Sequence, residues 1–150
     1  MPTALYLDDL AVGRKFITRE VTLTLEGCKA FAGEFDPQPF HLDEAVARHS
    51  VFGRLAASGW YTAAVTMRLI VDSELKIAGG VVGLGGDIKW PKPTYPGDTI
   101  HVECDVLEVR VSESKPDRGI VTMRNRTLNQ HGEAVQVAVV KLLVPRRPAA

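Results

Sequence analysis

Residues 59–71 form the longest apolar run that a helix can accommodate, and this run restricts the folds open to the chain. Its apolar members surround nearly the whole helix: Trp60, Tyr61, Ala63, Ala64, Val65, Met67, Leu69, Ile70 and Val71. Only Thr62, Thr66 and Arg68 interrupt them. A helix with so little polar surface is expected to be buried. The fold must therefore supply a layer that covers this helix, with Trp60 and Met67 predicted chiefly as core residues.

The second half of the chain changes to the two-residue period of β-strands. Alternating, β-branched segments occupy residues 80–89, 99–112, 119–129 and 134–144. Turn-forming clusters at 96–98, 114–117 and 129–132 separate the last three. Long strands joined by short turns favour an antiparallel meander. One buried helix followed by such strands predicts an α+β fold in which the sheet wraps the helix.

The first half is predicted to contain a strand over residues 15–24 and two helices. Thr24 is placed as the N-cap of the first helix, and Pro37 and Pro39 must end it because proline lacks a donor and disfavours a helical predecessor. Asp43 is placed as the cap of a short helix through Arg48. The apolar side chains at helical spacing in the first helix are Cys28, Phe31, Ala32 and Phe35.

Composition predicts one globular domain over residues 1–150, with hydrophobic residues at 45%. The balance of 18 basic and 18 acidic residues gives no bias toward nucleic acid. Neither a signal-peptide pattern nor an apolar stretch of about 20 residues is apparent, so a cytoplasmic protein without a membrane partner is expected. Cys28 and Cys104 lack metal-ligand spacing and are interpreted as free thiols.

A carboxylate and an imidazole, Asp36 and His41, stand five positions apart around two prolines. Near neutral pH such a pair is carboxylate and neutral imidazole, which can hold a water molecule and move its proton. Five extended residues span about 16 Å, so the loop must fold back for the two to meet. The alternative interpretation is a helix-ending turn, with Asp36 as a cap and His41 on the surface.

The run Asp36-x-Gln38-Pro39-x-His41-x-Asp43 resembles the signature of the MaoC-like, R-specific enoyl-CoA hydratase family. Residues 55–59 are similar to that family's entry to its central helix, and residues 90–98 are similar to its proline-rich lead into a strand. The resemblance covers about residues 10–145. It departs from the usual pattern at Phe35 in place of Gly, Gln38 in place of Asn, and Ser58 in place of His.

This resemblance implies a hot-dog fold and a hydratase or dehydratase that uses neither a metal nor a redox cofactor. It implies that Asp36 acts as the base toward water, that His41 binds the water and helps to deliver the proton, and that the Gly59 N–H binds the thioester oxygen. The product would be an (R)-3-hydroxyacyl-CoA, and the protein would be a homodimer or a higher homo-oligomer with an acyl-CoA substrate.

Several residues have a structural as well as a functional interpretation. Gly59 fits a tight turn or close packing as well as an oxyanion site, and Ser58 fits an N-cap better than an acyl contact. Gln38 is assigned to support of the loop, and Trp60 to the acyl channel as an alternative to the core. The cations considered for CoA phosphates, each of which also fits solvated surface, are Lys89, Lys92 and Arg124. A strand bulge or a close approach of the backbone to a ligand explains the glycines at 80, 83, 85 and 86 better than a phosphate loop does.

Two other functions remain open from the sequence. Hot-dog thioesterases commonly carry a carboxylate early on the central helix, whereas residues 59–67 contain none. A non-catalytic acyl-CoA-binding subunit is the second alternative, and the presence of both Asp36 and His41 argues against it.

Overall fold

The computed structural model describes residues 3–149. A short 3-10 turn at Leu7–Asp9 precedes four helices: α1 (Leu25–Phe35), α2 (Pro39–Leu42), α3 (Glu44–Ala47) and α4 (Gly59–Val71). The strands are β1 (Lys15–Ile17), β2 (Val21–Thr22), β3 (Val82–Lys89), β4 (Thr99–Val111), β5 (Arg118–Leu128) and β6 (Ala134–Pro145). Among these described helices, none is long and apolar enough to cross a membrane.

All six strands join one antiparallel sheet in the order β1-β4-β5-β6-β3, and β2 also pairs with β4. The sheet packs against α4, and the buried side chains of both form one core. The predicted α+β hot-dog arrangement is confirmed. Strands β4, β5 and β6 form the expected meander, because their alternating side chains place one apolar face inward.

Both cysteines belong to that core. Cys28 on α1 and Cys104 on β4 are fully buried free thiols. Burial, reinforced by the negative charge of Asp98, raises the pKa of Cys28 to about 11. Burial, reinforced by Asp105, raises the pKa of Cys104 to about 12. Both groups are therefore protonated near neutral pH.

The continuous strand predicted over residues 15–24 is wrong, because the chain breaks into β1 and β2. Ile17 and Val21 are four residues apart, whereas their partners on β4, Glu103 and Ile100, are three residues apart. One extra residue therefore lies between β1 and β2. The Thr18 hydroxyl accepts a hydrogen bond from Val102 N at 2.9 Å and donates to Arg19 O at 2.8 Å. These side-chain bonds replace the regular ladder and produce a bulge.

The prediction that α4 is buried all round is also wrong for the single chain. Its polar residues Thr62 and Thr66 face the sheet and are buried, whereas Trp60 is 57% exposed and Met67 is 49% exposed. A helix that packs on one sheet buries only the stripe that faces the sheet. Trp60 and Met67 lie outside that stripe, so their assignment to the core is wrong.

The remaining boundaries shift by a few residues. Asp43 does cap a short helix, accepting hydrogen bonds from Ala45 N and Val46 N, but α2 before it was not predicted. In the glycine-rich strand β3, the register shifts between Gly83 and Gly85. The predicted bulge is therefore present. A Cβ atom on Gly86 would lie 2.2 Å from Val139 O, so glycine there allows close approach of β6.

Candidate active site

The loop after α1 folds back and brings Asp36 and His41 together. Pro37 prevents α1 from continuing, and Pro39 at the first position of α2 has the backbone angle that starts a new helix. His41 lies in this second helix, and its Nε2 is 3.3 Å from Asp36 Oδ2. The loop therefore folds back, as the interpretation of Asp36 and His41 as a pair required. His41 is buried, whereas the alternative interpretation placed it on the surface.

The His41 ring is fixed on its other side by a backbone carbonyl. Its Nδ1 lies 2.7 Å from Ala56 O. A carbonyl oxygen only accepts hydrogen bonds, so Nδ1 carries a hydrogen and donates it. Phe40 packs its ring against the imidazole at 4.6 Å between centroids. Nε2 is therefore the nitrogen available for proton transfer, and it faces Asp36.

Two further side chains hold the Asp36 carboxylate. Ser58 Oγ donates to Oδ2 at 2.6 Å, and Gln38 Nε2 donates to Oδ1 at 2.5 Å. Partial burial raises the pKa of Asp36, but the hydrogen bonds from Ser58 and Gln38 and the charge of His41 outweigh this effect, so the pKa is lowered overall. Asp36 is consequently a stable carboxylate near neutral pH.

Replacing Ser58 with alanine is expected to raise the pKa of Asp36, because a donor to the charged form is lost. A depressed carboxylate pKa stabilises the folded state above the unfolded pKa, and this stability is lost as the pH falls through the folded pKa. The variant should therefore lose less stability on acidification than the parent. It should also lose about 1 kcal/mol at neutral pH, since Ser58 accepts from Trp60 N at 3.2 Å as the N-cap of α4.

Carboxyl titration by carbon-detected NMR measures this pKa directly. Ser50→Ala is the matched control, because Ser50 bonds to Ala47 O and Phe52 N and has no contact with Asp36. An unchanged Asp36 titration in folded Ser58→Ala would contradict the assignment.

A cavity of about 340 Å³ opens in front of the Asp36–His41 pair. Gly59, the first residue of α4, lines it, and N–H groups of a first helical turn have no acceptor within the helix. A Cβ atom on Gly59 would lie 2.8 Å from the Trp90 indole, so close packing also requires glycine here. Both interpretations of Gly59 are compatible with this geometry. The other lining residues are Gln38, Phe40, Phe52, Ala57, Trp60, Thr62, Trp90, Lys92, Pro93 and Thr94.

The structure thus brings together nearly all of the site residues predicted from the sequence. Ser58 differs from the others because it does not line the cavity. It is fully buried, donates a hydrogen bond to Asp36 and caps α4. Lys92 lines the cavity and pairs with Glu133. Arg124 instead bonds to Asp105 at 3.4 Å on the outer sheet face. Within residues 3–149, no cluster of three or more metal-ligating side chains occurs.

Sequence reasoning missed the role of Trp90. Its indole closes one wall of the cavity, packs edge-on against Trp60 at 5.0 Å between ring centroids, and donates from Nε1 to Gln136 Oε1 at 3.0 Å. The only available signal was an aromatic residue at the start of the proline-rich segment.

Comparison with known proteins decides the family. The family model described as a MaoC like domain matches residues 9–128, which include the whole Asp36–His41 loop. The chain belongs to the MaoC-like family. This MaoC-like family includes hydratases and dehydratases.

Three members of known description are similar to this MaoC-like chain. The crystal structure of a MaoC-like dehydratase from Rhodospirillum rubrum is 57% identical in sequence and has a TM-score of 0.95. The match covers 97% of this chain and 100% of the Rhodospirillum rubrum chain. The R-hydratase PhaJ1 from Pseudomonas aeruginosa is 27% identical, with a TM-score of 0.77, covering 96% of this chain and 88% of its own. A mesaconyl-CoA hydratase from Cereibacter sphaeroides is 34% identical over 110 residues, which are 73% of this chain but 27% of that enzyme.

Proposed function

We propose that the chain adds water reversibly to a trans-2-enoyl-CoA thioester and forms an (R)-3-hydroxyacyl-CoA. The observation that carries this proposal is the 3.3 Å approach of His41 Nε2 to Asp36 Oδ2 at the wall of a cavity that also contains the start of α4. Kinship with an R-hydratase and with a mesaconyl-CoA hydratase supports the reaction class.

The hydrogen-bond arrangement suits activation of water. Ser58 and Gln38 donate to Asp36, so its carboxylate stays charged and oriented. His41 donates from Nδ1 to Ala56, which leaves the lone pair of Nε2 for the site when the ring is neutral. A water molecule touching both groups can donate one hydrogen to Asp36 and one to Nε2. Its oxygen lone pair is then free to attack.

Each proton is accounted for in the addition. The water oxygen forms a bond to C3 of the enoyl group while Asp36 accepts a proton from that water. The C2–C3 double-bond electrons move to C2 and the thioester carbonyl, giving an enolate. The transferred proton passes to C2, directly from Asp36 or through His41 Nε2, which is 3.3 Å away. This returns both side chains to their starting states.

The start of α4 supplies the remaining stabilisation. The Gly59 N–H lies at the helix N-terminus, beside the cavity that Gly59 lines and at the positive end of the helix dipole. Negative charge grows on the thioester oxygen as the enolate forms. A fixed donor at that point stabilises the transition state more than the substrate.

The direct test follows the loss of enoyl-thioester absorbance with crotonyl-CoA and a panel of longer and branched enoyl-CoA compounds. Turnover with formation of the (R)-3-hydroxy product supports the proposal. Release of free thiol without hydration would identify a thioesterase instead. Acyl-CoA binding without either reaction would identify a binding subunit.

We further propose that two copies pair through β3 and the open face of α4. Strand β3 pairs only with β6 among the strands described, so its other edge is free, and its Val82 and Leu84 are 47% and 52% exposed. Trp60 and Met67 on α4 add to the exposed apolar surface. A free edge beside apolar side chains favours self-complementary pairing about a two-fold axis.

Leu84→Lys is expected to halve the mass of the species seen by sedimentation velocity, because two lysines would be buried near each other across the axis. Val51→Lys is the matched control, since Val51 is 95% exposed in the loop between α3 and α4 and belongs to neither β3 nor α4. A parent protein that sediments as a monomer at micromolar concentration would contradict the dimer.

A further inference from the structure

A second cavity, of about 180 Å³, lies between α4 and the sheet. Its lining is mostly apolar and differs throughout from that of the catalytic cavity. The side chains that give it this character are Ala63, Met67, Ile70, Ile88, Ala138 and Val140. A space of this kind suits a hydrocarbon chain better than it suits water.

Three separate elements lead from one cavity to the other. On α4, Gly59 lines the catalytic cavity and Ala63 lines the second, one helical turn apart on the same face. Along β3 and its continuation, Ile88 lines the second cavity and Trp90 the catalytic one, two residues apart on the same side. On β6, Gln136 lines the second cavity and bonds to Trp90. The two cavities are therefore neighbours along one line.

Trp90 stands at the junction and is held there from three sides. Its indole packs against the backbone of Gly59, where a Cβ atom would approach it to 2.8 Å. Its Nε1 donates to Oε1 of Gln136, a side chain only 2% exposed, and its ring meets Trp60 edge to face. The ring is thus fixed by a hydrogen bond to the neighbouring strand β6, and it stands against Gly59 of the catalytic cavity and Gln136 of the second cavity.

We propose that Trp90 separates the catalytic cavity from an apolar acyl-tail site and thereby restricts the chain to short acyl thioesters. This inference rests on the proposed function, since it assumes that a thioester occupies the catalytic cavity. The acyl tail of a short substrate ends at the indole. A longer tail requires the space that Ala63 and Ile88 line, which is open to it only when the ring is removed.

Binding of butyryl-CoA and octanoyl-CoA, measured by isothermal titration calorimetry, tests this without depending on hydration. Both thioesters lack the double bond, so they report on the acyl site alone. The parent should bind octanoyl-CoA no more tightly than butyryl-CoA. Trp90→Ala should shift the ratio of the two dissociation constants toward octanoyl-CoA on the order of 10-fold or more, since each added methylene in an apolar pocket discriminates to that extent.

Additional variants keep the result interpretable. Adding Ala63→Leu to Trp90→Ala should cancel the gain, because the leucine fills the second cavity. Leu25→Ala removes an exposed apolar side chain that lines neither cavity, and it should leave the ratio of the two dissociation constants unchanged. Trp90→Leu serves in place of Trp90→Ala if the smaller residue prevents folding.

An unchanged ratio in folded Trp90→Ala or Trp90→Leu would overturn the inference, as would a parent that already prefers octanoyl-CoA. If either result were obtained while the parent still hydrated crotonyl-CoA, only this inference would fail and the proposed function would stand. Absence of binding of both thioesters to every variant would overturn this inference, and the proposed function would fall with it only if crotonyl-CoA were not hydrated either.

Discussion

Asp36→Asn is expected to reduce the rate of crotonyl-CoA hydration by roughly 10²- to 10⁴-fold, the range typical for loss of a positioned general base. Asparagine has nearly the same shape as aspartate but cannot accept the proton of water. Its amide can still bond to Gln38 and Ser58, because the Ser58 hydroxyl can accept as well as donate. The loss should therefore appear in kcat, with a smaller loss of stability because neutral hydrogen bonds replace those to the charged carboxylate.

Asp43→Asn is the matched control for this change. Asp43 belongs to the same loop, but its carboxylate caps α3 through Ala45 N and Val46 N, and asparagine caps helices about as well as aspartate. Its hydration rate should stay close to that of the parent. Hydration that survives Asp36→Asn would rule out Asp36 as the base.

His41→Asn is expected to cost about 100-fold or more in the same assay. The asparagine amide can replace Nδ1 as the donor to Ala56 O, so the loop keeps its anchor. It does not reach the position of Nε2, so Asp36 loses its partner in proton transfer. The complementary variant His41→Gln places an amide near Nε2 but lacks the proton affinity of imidazole, and it should also be slow.

His101→Asn controls for the loss of a histidine paired with a carboxylate. His101 Nε2 lies 3.1 Å from Glu103 on the outer face of the sheet, outside the cavity. Thermal unfolding and kcat should both change little. A similar loss of hydration in His101→Asn and His41→Asn would point to a general effect on the fold and would contradict a chemical role for His41.

Features of the fold that depend on local sequence were predictable. The cap at Thr24, the end of α1 before Pro37 and the turns of the meander follow from neighbouring residues, and all occur as expected. Exposure of the outer face of α4 was not predictable, because it depends on how many layers cover the helix. The bulge after Thr18 was hidden for a similar reason: its hydroxyl bonds to Val102, 84 residues away.

Contacts of the site also divide into those within one loop, which could be predicted, and those between distant segments, which could not. Asp36 and His41 lie within one short, proline-stiffened loop, so their meeting could be proposed from spacing and supported by the family resemblance. The hydrogen bond from Ser58 to Asp36 crosses 22 residues, and that from Trp90 to Gln136 crosses 46. Contacts over such separations depend on the packing of different elements, and one sequence contains no periodic signal for them.

Because both cysteines are buried, the folded protein itself should not react with thiol-specific reagents. Cys28 and Cys104 are inaccessible and protonated, so a thiol-specific dye has no thiolate to attack in the native state. Colour that develops during turnover would then count coenzyme A alone. Once the chain unfolds, both sulfur atoms become reactive, and the same dye reports the population of open molecules at two equivalents per chain.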